Sequence, residues 1–283
     1  NFNESTFREY DIRGIVELDF SEEVVENLGK AFGTYISRQK GNVISVSGDI
    51  RETSPTLKTN FINGILSTGV NVIDTGILPT PVNYYSLYHL NTDAAVQITG
   101  SHNPNEFNGF KFSCMKESFY GEKIQLLKNM ILNKDFIKGN GILKKQDILN
   151  NYIEMLCSKI TIKKKLKVII DSGNACACIT VPQTLKKLGV EVEELYCNVD
   201  SSFPNHHPDP TVDSNLKDII SIIKEKDFDL GMAFDGDADR IVVINENGEI
   251  IRSDNLLCLF LPEVITSTNK KIIFDVKCSE ALE

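Results

Sequence analysis

Ala94-Ala95-Val96-Gln97-Ile98-Thr99-Gly100-Ser101-His102-Asn103-Pro104 is the stretch on which the fold turns. Residues 94–98 carry no charge and read as a buried strand that runs directly into a glycine and a serine. In open α/β sheets, ligands bind beyond the carboxyl ends of the strands, so a serine placed there is a candidate for chemistry. Gly100 allows the backbone to approach a ligand closely, and Pro104 stiffens the loop. The serine lacks a Gly-x-Ser-x-Gly frame, which argues against a hydrolase elbow. Read alone, the stretch is equally a strand-to-loop turn with ordinary polar residues.

The same strand–turn–helix rhythm recurs on both sides. Residues 43–46 read as a strand, Ser54 as an N-cap and Pro55 as a first-turn proline. Leu57, Phe61, Ile62, Ile65 and Leu66 then share one helical face, which Gly69 ends before a strand at 70–73. Further on, residues 168–170 form a strand, Asp171-Ser172-Gly173-Asn174 turns into a helix reaching Leu185 and Leu188, and Gly189 closes it before a strand from 190. Leu216, Ile219, Ile220 and Ile223 have helical spacing, and residues 230–234 form a strand that ends at Asp235. A third copy starts at 272–274, before Asp275. Strands alternating with helices predict an α/β protein, with repeated three-layer domains and mixed, mostly parallel sheets. The polar stretch 133–151, with Gly139, Asn140 and Gly141, suggests domains at 1–140 and 141–249, followed by the incomplete start of a third at 250–283.

Composition narrows the function. The 283 residues carry a net charge of −9, with 41% hydrophobic and 24% charged residues, as in ordinary globular proteins. Nucleic-acid binders show a basic face, whereas the one basic run here, Lys163, Lys164, Lys165 and Lys167, reads as a solvated edge. Seven scattered cysteines without a Cys-x-x-Cys pair speak for buried free thiols in a reducing compartment. Residues 1–11 show no apolar signal-peptide core, and no apolar run approaches the ~18 residues of a membrane span. The expected location is the cytoplasm, with neither nucleic acid nor membrane as partner.

The second chemical motif is Asp235-Gly236-Asp237-Ala238-Asp239-Arg240. Carboxylates at alternate positions can converge on one hard cation, and without one they repel. An EF-hand is the rival, since Asp235, Asp237, Asp239 and Glu246 fall at positions one, three, five and twelve. Its sixth position should be glycine and is Arg240, and the flanks read as strands. Arg13, beside Gly14, could fork onto phosphate oxygens, or form a plain surface ion pair. Lys111 lies in the aromatic run Phe107-Asn108-Gly109-Phe110-Lys111-Phe112 and could equally be a strand-edge lysine with a snorkelling head.

Taken together, residues 7–14, 99–104, 108–111, 203–210, 235–240 and 274–278 resemble the α-D-phosphohexomutase family, closest to its bacterial phosphomannomutase/phosphoglucomutase branch. They occur in the family's order over essentially the whole chain, and Phe203-Pro204-Asn205-His206-His207-Pro208-Asp209-Pro210 points to the branch. The resemblance implies four domains around a cleft, of which this chain would carry the first two and the start of the third, with the fourth absent. It implies interconversion of hexose 1-phosphate and 6-phosphate (mannose and/or glucose), through a phosphoserine at Ser101 and a bisphosphorylated sugar, with hexose 1,6-bisphosphate as activator. It places Mg²⁺ on Asp235, Asp237, Asp239 and the phosphorylated Ser101, and sets Arg13, His102, Asn103, Lys111 and Arg240 around the reaction centre. Lys111 is then the expected base for the sugar hydroxyl, assisted by His102, provided neighbouring cations and desolvation lower its pKa. Because the family's sugar- and phosphate-gripping domains would be missing, a folded but catalytically impaired fragment is expected. A non-catalytic metal- or sugar-phosphate-binding module and a phosphatase are the alternatives. Three positions depart from the family pattern. Gly48 stands in Ser47-Gly48-Asp49-Ile50-Arg51 where an arginine is usual, Gly100 replaces an alanine, and Ala238 replaces a glycine.

Overall fold

The computed structural model describes residues 3–266, 268 and 270–282. The first sheet is built from β1 (Ile12–Ile15), β2 (Val43–Gly48), β3 (Asn71–Ile77), β4 (Ala94–Ile98), β5 (Phe107–Cys114), β6 (Glu117–Ser118) and β7 (Leu143–Lys145), in the order β1-β5-β4-β2-β3-β7 with β6 on β5. Strand β2 pairs in parallel with β3 and β4, β7 in parallel with β3, and β5 joins antiparallel. Its helices are α1 (Val16–Asp19), α2 (Glu22–Arg38), α3 (Ser54–Leu66), α4 (Thr80–His89) and α5 (Glu122–Leu132). After α6 (Leu149–Lys159), a second sheet runs β12-β11-β10-β8-β9. It is formed by β8 (Lys167–Asp171), β9 (Glu191–Leu195), β10 (Leu230–Phe234), β11 (Ile241–Asn245) and β12 (Ile250–Ile251), with α7 (Ala177–Lys187) and α8 (Lys217–Glu225) packed on it. The parallel trio β9-β8-β10 is again extended by antiparallel strands. Helix α9 (Ser253–Val264) follows. Among the described residues no helix is long and apolar enough to cross a membrane.

Strand β2 shows why the first unit has three layers. Ile44 and Val46 point into a core shared with Phe32 and Phe61 of α2 and α3. Ser45 and Ser47 point the other way and are equally buried. There, Ser45 Oγ lies 2.6 Å from Ser86 Oγ of α4, and Asn83 Nδ2 of α4 donates to Ser47 Oγ at 2.7 Å. Alternation of this kind ordinarily signals a half-exposed strand. Here the polar face is covered by a helix that satisfies each hydroxyl, since an unpaired one would cost ~1–3 kcal/mol.

Several expectations need correction. Ser54 is the first residue of α3, not its cap. Its hydroxyl turns inward to Asp49 Oδ1 and accepts from Asn108 Nδ2 at 2.9 Å, a stronger demand than the helix end makes. The first sheet continues past residue 140, because β7 adds an edge strand whose residues are all exposed and so carry no apolar pattern. Residues 272–274 form no strand. Ile273 and Val276 are 96% and 97% exposed, and among the described residues nothing pairs with this stretch, so its β-rich composition has no ladder to join. All seven cysteines are free thiols, but only Cys114 and Cys176 are buried, and the other five are partly exposed.

Candidate active site and metal centre

Beyond β4 the chain turns sharply, and Ser101 adopts φ +51°, a left-handed backbone unusual for serine. Buried Asp49, just after β2, organises the turn. Its Oδ2 accepts from Thr99 Oγ1 at 2.8 Å and Gly100 N at 3.0 Å, and Thr99 Oγ1 in turn accepts Ser101 N at 2.8 Å. Buried Arg51 gathers the loop's carbonyls. Its Nη2 donates to Ser101 O at 3.0 Å and Asn103 O at 2.7 Å, and its Nη1 to Pro104 O at 2.8 Å. A buried guanidinium is tolerable because Asp49 lies 3.3 Å from its Nε. Arg51 also fills the space a side chain at Gly100 would need, as a Cβ there would stand 2.3 Å from Arg51 Cζ. Gly48, by contrast, has ordinary contacts around its missing Cβ, so a Cβ would fit there. Arg13 donates to Gly100 O at 2.5 Å and Asn103 Oδ1 at 2.9 Å, and it pairs with Asp11 at 2.6 Å.

The aspartate loop meets this turn from the other sheet. It joins β10 to β11, two antiparallel strands, which excludes the helical flanks of an EF-hand. Asp235 Oδ1 accepts the backbone N–H groups of Asp239 and Arg240, each at 3.1 Å, which leaves Oδ2 to face Ser101 Oγ at 3.1 Å. Gly236 lets the two loops touch, because a Cβ there would fall 2.1 Å from Ser101 O. One oxygen from each of Asp235, Asp237 and Asp239 can be chosen so that all lie within 4.8 Å of one another. Lys111 Nζ sits 2.6 Å from both Asp237 and Asp239, and Thr80 Oγ1 donates to Asp237 Oδ2. Asp237 Oδ1 is buried without a partner.

These carboxylates lack enough positive charge. Burial, then the charges of Asp237 and Asp239, pushes Asp235 up to about 8. Burial also acts on Asp237, but Lys111 and the hydroxyls around it more than offset that and hold it below its ordinary value. A trio of converging carboxylates, one of which carries an orphaned oxygen, fits a hard divalent cation. The chain can therefore hold a metal ion here, through Asp235, Asp237 and Asp239.

Lys111 departs from its expected state. Burial lowers its pKa, but Asp237 and Asp239 more than reverse this, and the lysine stands above its ordinary value as an ammonium. His102 shifts the opposite way. Burial first, then the charges of Arg240 and Arg13, lower its pKa and keep the imidazole neutral, with Nδ1 3.2 Å from Ser101 Oγ. Arg240, Arg13, His102, Asn103, Lys111 and Asp239 all line one open cleft of about 770 Å³.

Ala238, where the family resemblance calls for glycine, has φ +59°. Left-handed backbone costs an L-residue ~1–2 kcal/mol, more than the ~0.4–1 kcal/mol that alanine removes from unfolded-chain entropy. Ala238→Gly should thus raise the denaturant midpoint at unchanged slope, and a lower midpoint would contradict the strain.

Several residues here were invisible as site residues. Thr80 lies 157 positions from Asp237 and nothing local marks it. His206 and His207 stood out only as part of a matched segment. Both ring nitrogens of His206 face acceptors, Asp171 Oδ2 at 2.9 Å and His207 O at 2.9 Å. Burial pulls its pKa down, but Asp171, the carbonyl and Asp218 prevail and the net shift is upward. A folded pKa above the unfolded value means that this stabilisation is complete below pH ~6.5 and fades as pH rises through the folded pKa. The stability difference between wild type and His206→Gln should therefore be larger at pH 6 than at pH 8.5. A difference independent of pH would contradict the charged pair.

Residues 4–137 match the family model described as phosphoglucomutase/phosphomannomutase, alpha/beta/alpha domain I, and residues 150–248 match domain II of the same family. The phosphomannomutase/phosphoglucomutase of Pseudomonas putida is 40% identical over 99% of this chain and 60% of its own length. That of Pseudomonas aeruginosa strain PAO1 is 41% identical over 98% and 60%. The crystal structure of a phosphoglucomutase/phosphomannomutase family protein from Burkholderia thailandensis superposes with a TM-score of 0.90 at 37% identity, covering 93% of this chain and 59% of that one. The chain thus spans about 60% of the length of the curated relatives it matches.

Proposed function

Since the chain belongs to the phosphoglucomutase/phosphomannomutase family, we propose that it serves phosphoryl transfer between hexose 1-phosphate and hexose 6-phosphate, mannose and/or glucose, with Ser101 as the carrier. The observation that carries this reading is the placement of Ser101 Oγ 3.1 Å from Asp235, beside a carboxylate trio in which Asp237 Oδ1 has no partner, on a loop whose Gly100 carbonyl is held by Arg13. We take the metal to be Mg²⁺ on Asp235, Asp237 and Asp239 and a hexose 1,6-bisphosphate to be the activator. Residues 4–137 and 150–248 would act as the phosphoserine and metal domains, in the reducing cytoplasm that seven free thiols suit.

Phosphoryl transfer has a loose transition state, so positioning and charge neutralisation dominate. When bound, the cation supplies Lewis-acid neutralisation of phosphoryl oxygens. Arg13 and Arg240, lining the cleft, share the remaining charge, while Arg51 and Asp49 fix the serine's direction. As Ser101 Oγ takes a phosphoryl group from a bisphosphorylated sugar, its proton must leave. Neutral His102, 3.2 Å away, is the base of suitable charge, and it returns the proton when the group passes back. Lys111 Nζ, 2.6 Å from Asp237 and Asp239, is the second candidate base, a role open to it once the cation draws those carboxylates away. His102→Gln should lower the transfer rate by roughly 10²-fold or more, and a rate within about threefold of wild type would remove His102 from the role.

Phosphorus NMR on mannose 1-phosphate and glucose 1-phosphate tests the whole reading. With Mg²⁺ and bisphosphate present, a mutase yields hexose 6-phosphate, a phosphatase only inorganic phosphate, an impaired carrier only phosphoserine, and a binding module none of these.

A further inference from the structure

Three successive carbonyls around Ser101 are each held by a different donor. Arg13 holds Gly100 O, Arg51 holds Ser101 O, and His207 Nε2 holds His102 O at 2.5 Å. The first two come from the first unit. His207 comes from the second, on the segment that follows β9. That segment is itself well anchored. The His207 carbonyl accepts from His206 Nδ1 at 2.9 Å and from Asp209 N at 2.8 Å, and His206 is tied to Asp171 at the end of β8. Phe203 supports the same contact from the side. Its ring lies 5.6 Å from the Arg51 guanidinium and meets the His207 ring edge-on at 6.2 Å.

A left-handed serine persists only where its surroundings over-determine it. Arg13 and Arg51 can shape the turn within the first sheet, but neither connects it to Asp235. We infer that His207 is a positioning residue of the phosphoryl-transfer centre: its Nε2–H grips the His102 carbonyl and so registers the Ser101 loop against the aspartate loop of its own unit. The inference rests on the reading of Ser101 as the phosphoryl carrier. His207 touches no reacting atom. It acts by setting the distance and direction between Ser101 Oγ and Asp235, where a misplacement of ~1 Å can cost about 10²-fold in rate.

The test is single-turnover transfer from glucose 1,6-bisphosphate to Ser101 at saturating bisphosphate and Mg²⁺, followed by intact mass. His207→Asn keeps a polar side chain but withdraws the donor, and should slow transfer by about tenfold to a hundredfold. His207→Gln places an amide N–H near the Nε2 position and should recover most of the rate. Mg²⁺ affinity by calorimetry should be unchanged in both, since neither touches the aspartates. Transfer by His207→Asn within about threefold of wild type, or His207→Gln as slow as His207→Asn, would overturn the inference. Should His207→Asn not fold, nitrogen-15 NMR of the wild type decides. The geometry requires the His207 proton on Nε2, protected from exchange, and an Nδ1–H tautomer overturns it. A wild type that takes no phosphoryl group on Ser101 defeats the carrier reading itself and the inference with it, an outcome distinct from a fast His207→Asn.

Discussion

Ser101→Ala should slow phosphoryl uptake from glucose 1,6-bisphosphate by roughly 10⁵-fold, ~7 kcal/mol of transition-state stabilisation. Oγ is the only heavy atom removed. Serine and alanine are nearly isosteric, and Ser101 is held chiefly through its backbone, by Arg51 at its carbonyl and Thr99 at its N–H. The loop should keep its shape, and Mg²⁺ binding at the aspartates should change by less than about threefold, or ~0.7 kcal/mol. A variant that loses metal binding together with activity would show that the serine organises the site rather than carrying the phosphoryl group.

Asp237→Asn should weaken Mg²⁺ binding by roughly 100-fold, ~2.7 kcal/mol. Asp237 is completely buried, its Oδ1 has no partner, and its Oδ2 already serves Lys111 and Thr80. A cation would satisfy that free oxygen, and an amide in its place offers no charge. Ligand binding to the folded state raises the unfolding midpoint. Mg²⁺ should therefore raise the midpoint of the wild type and leave that of Asp237→Asn almost unmoved. Equal midpoint shifts, or equal calorimetric affinity, would place the cation elsewhere.

The parts of this molecule that could be read in advance are those where one local pattern has one physical solution. Ala94–Ile98 and Leu230–Phe234 are short apolar runs cut off by turn residues, and both are strands with those bounds. Three aspartates at alternate positions converge because a tight turn with Ala238 in left-handed backbone folds them onto one point. Chemistry that depends on remote partners was not legible. Lys111 as a base requires neighbouring cations and desolvation to lower its pKa, and only the tertiary fold reveals that its nearest charges are Asp237 and Asp239. Thr80, Arg51 and His207 owe their roles to contacts from 50 to 157 residues away. The exposed β7 and the unpaired stretch 272–274 mark the opposite limits of pattern. One is a strand without an apolar signal, the other an apolar signal without a sheet.

The central claim is that Ser101 accepts a phosphoryl group. The most direct measurement incubates the wild-type chain with glucose 1,6-bisphosphate and Mg²⁺, then maps the product by intact mass and peptide fragmentation. The account predicts a single added phosphoryl group, on Ser101, whose yield falls when Mg²⁺ is chelated. A phosphoryl group on any other residue, or none while the protein remains folded and binds Mg²⁺, would contradict it.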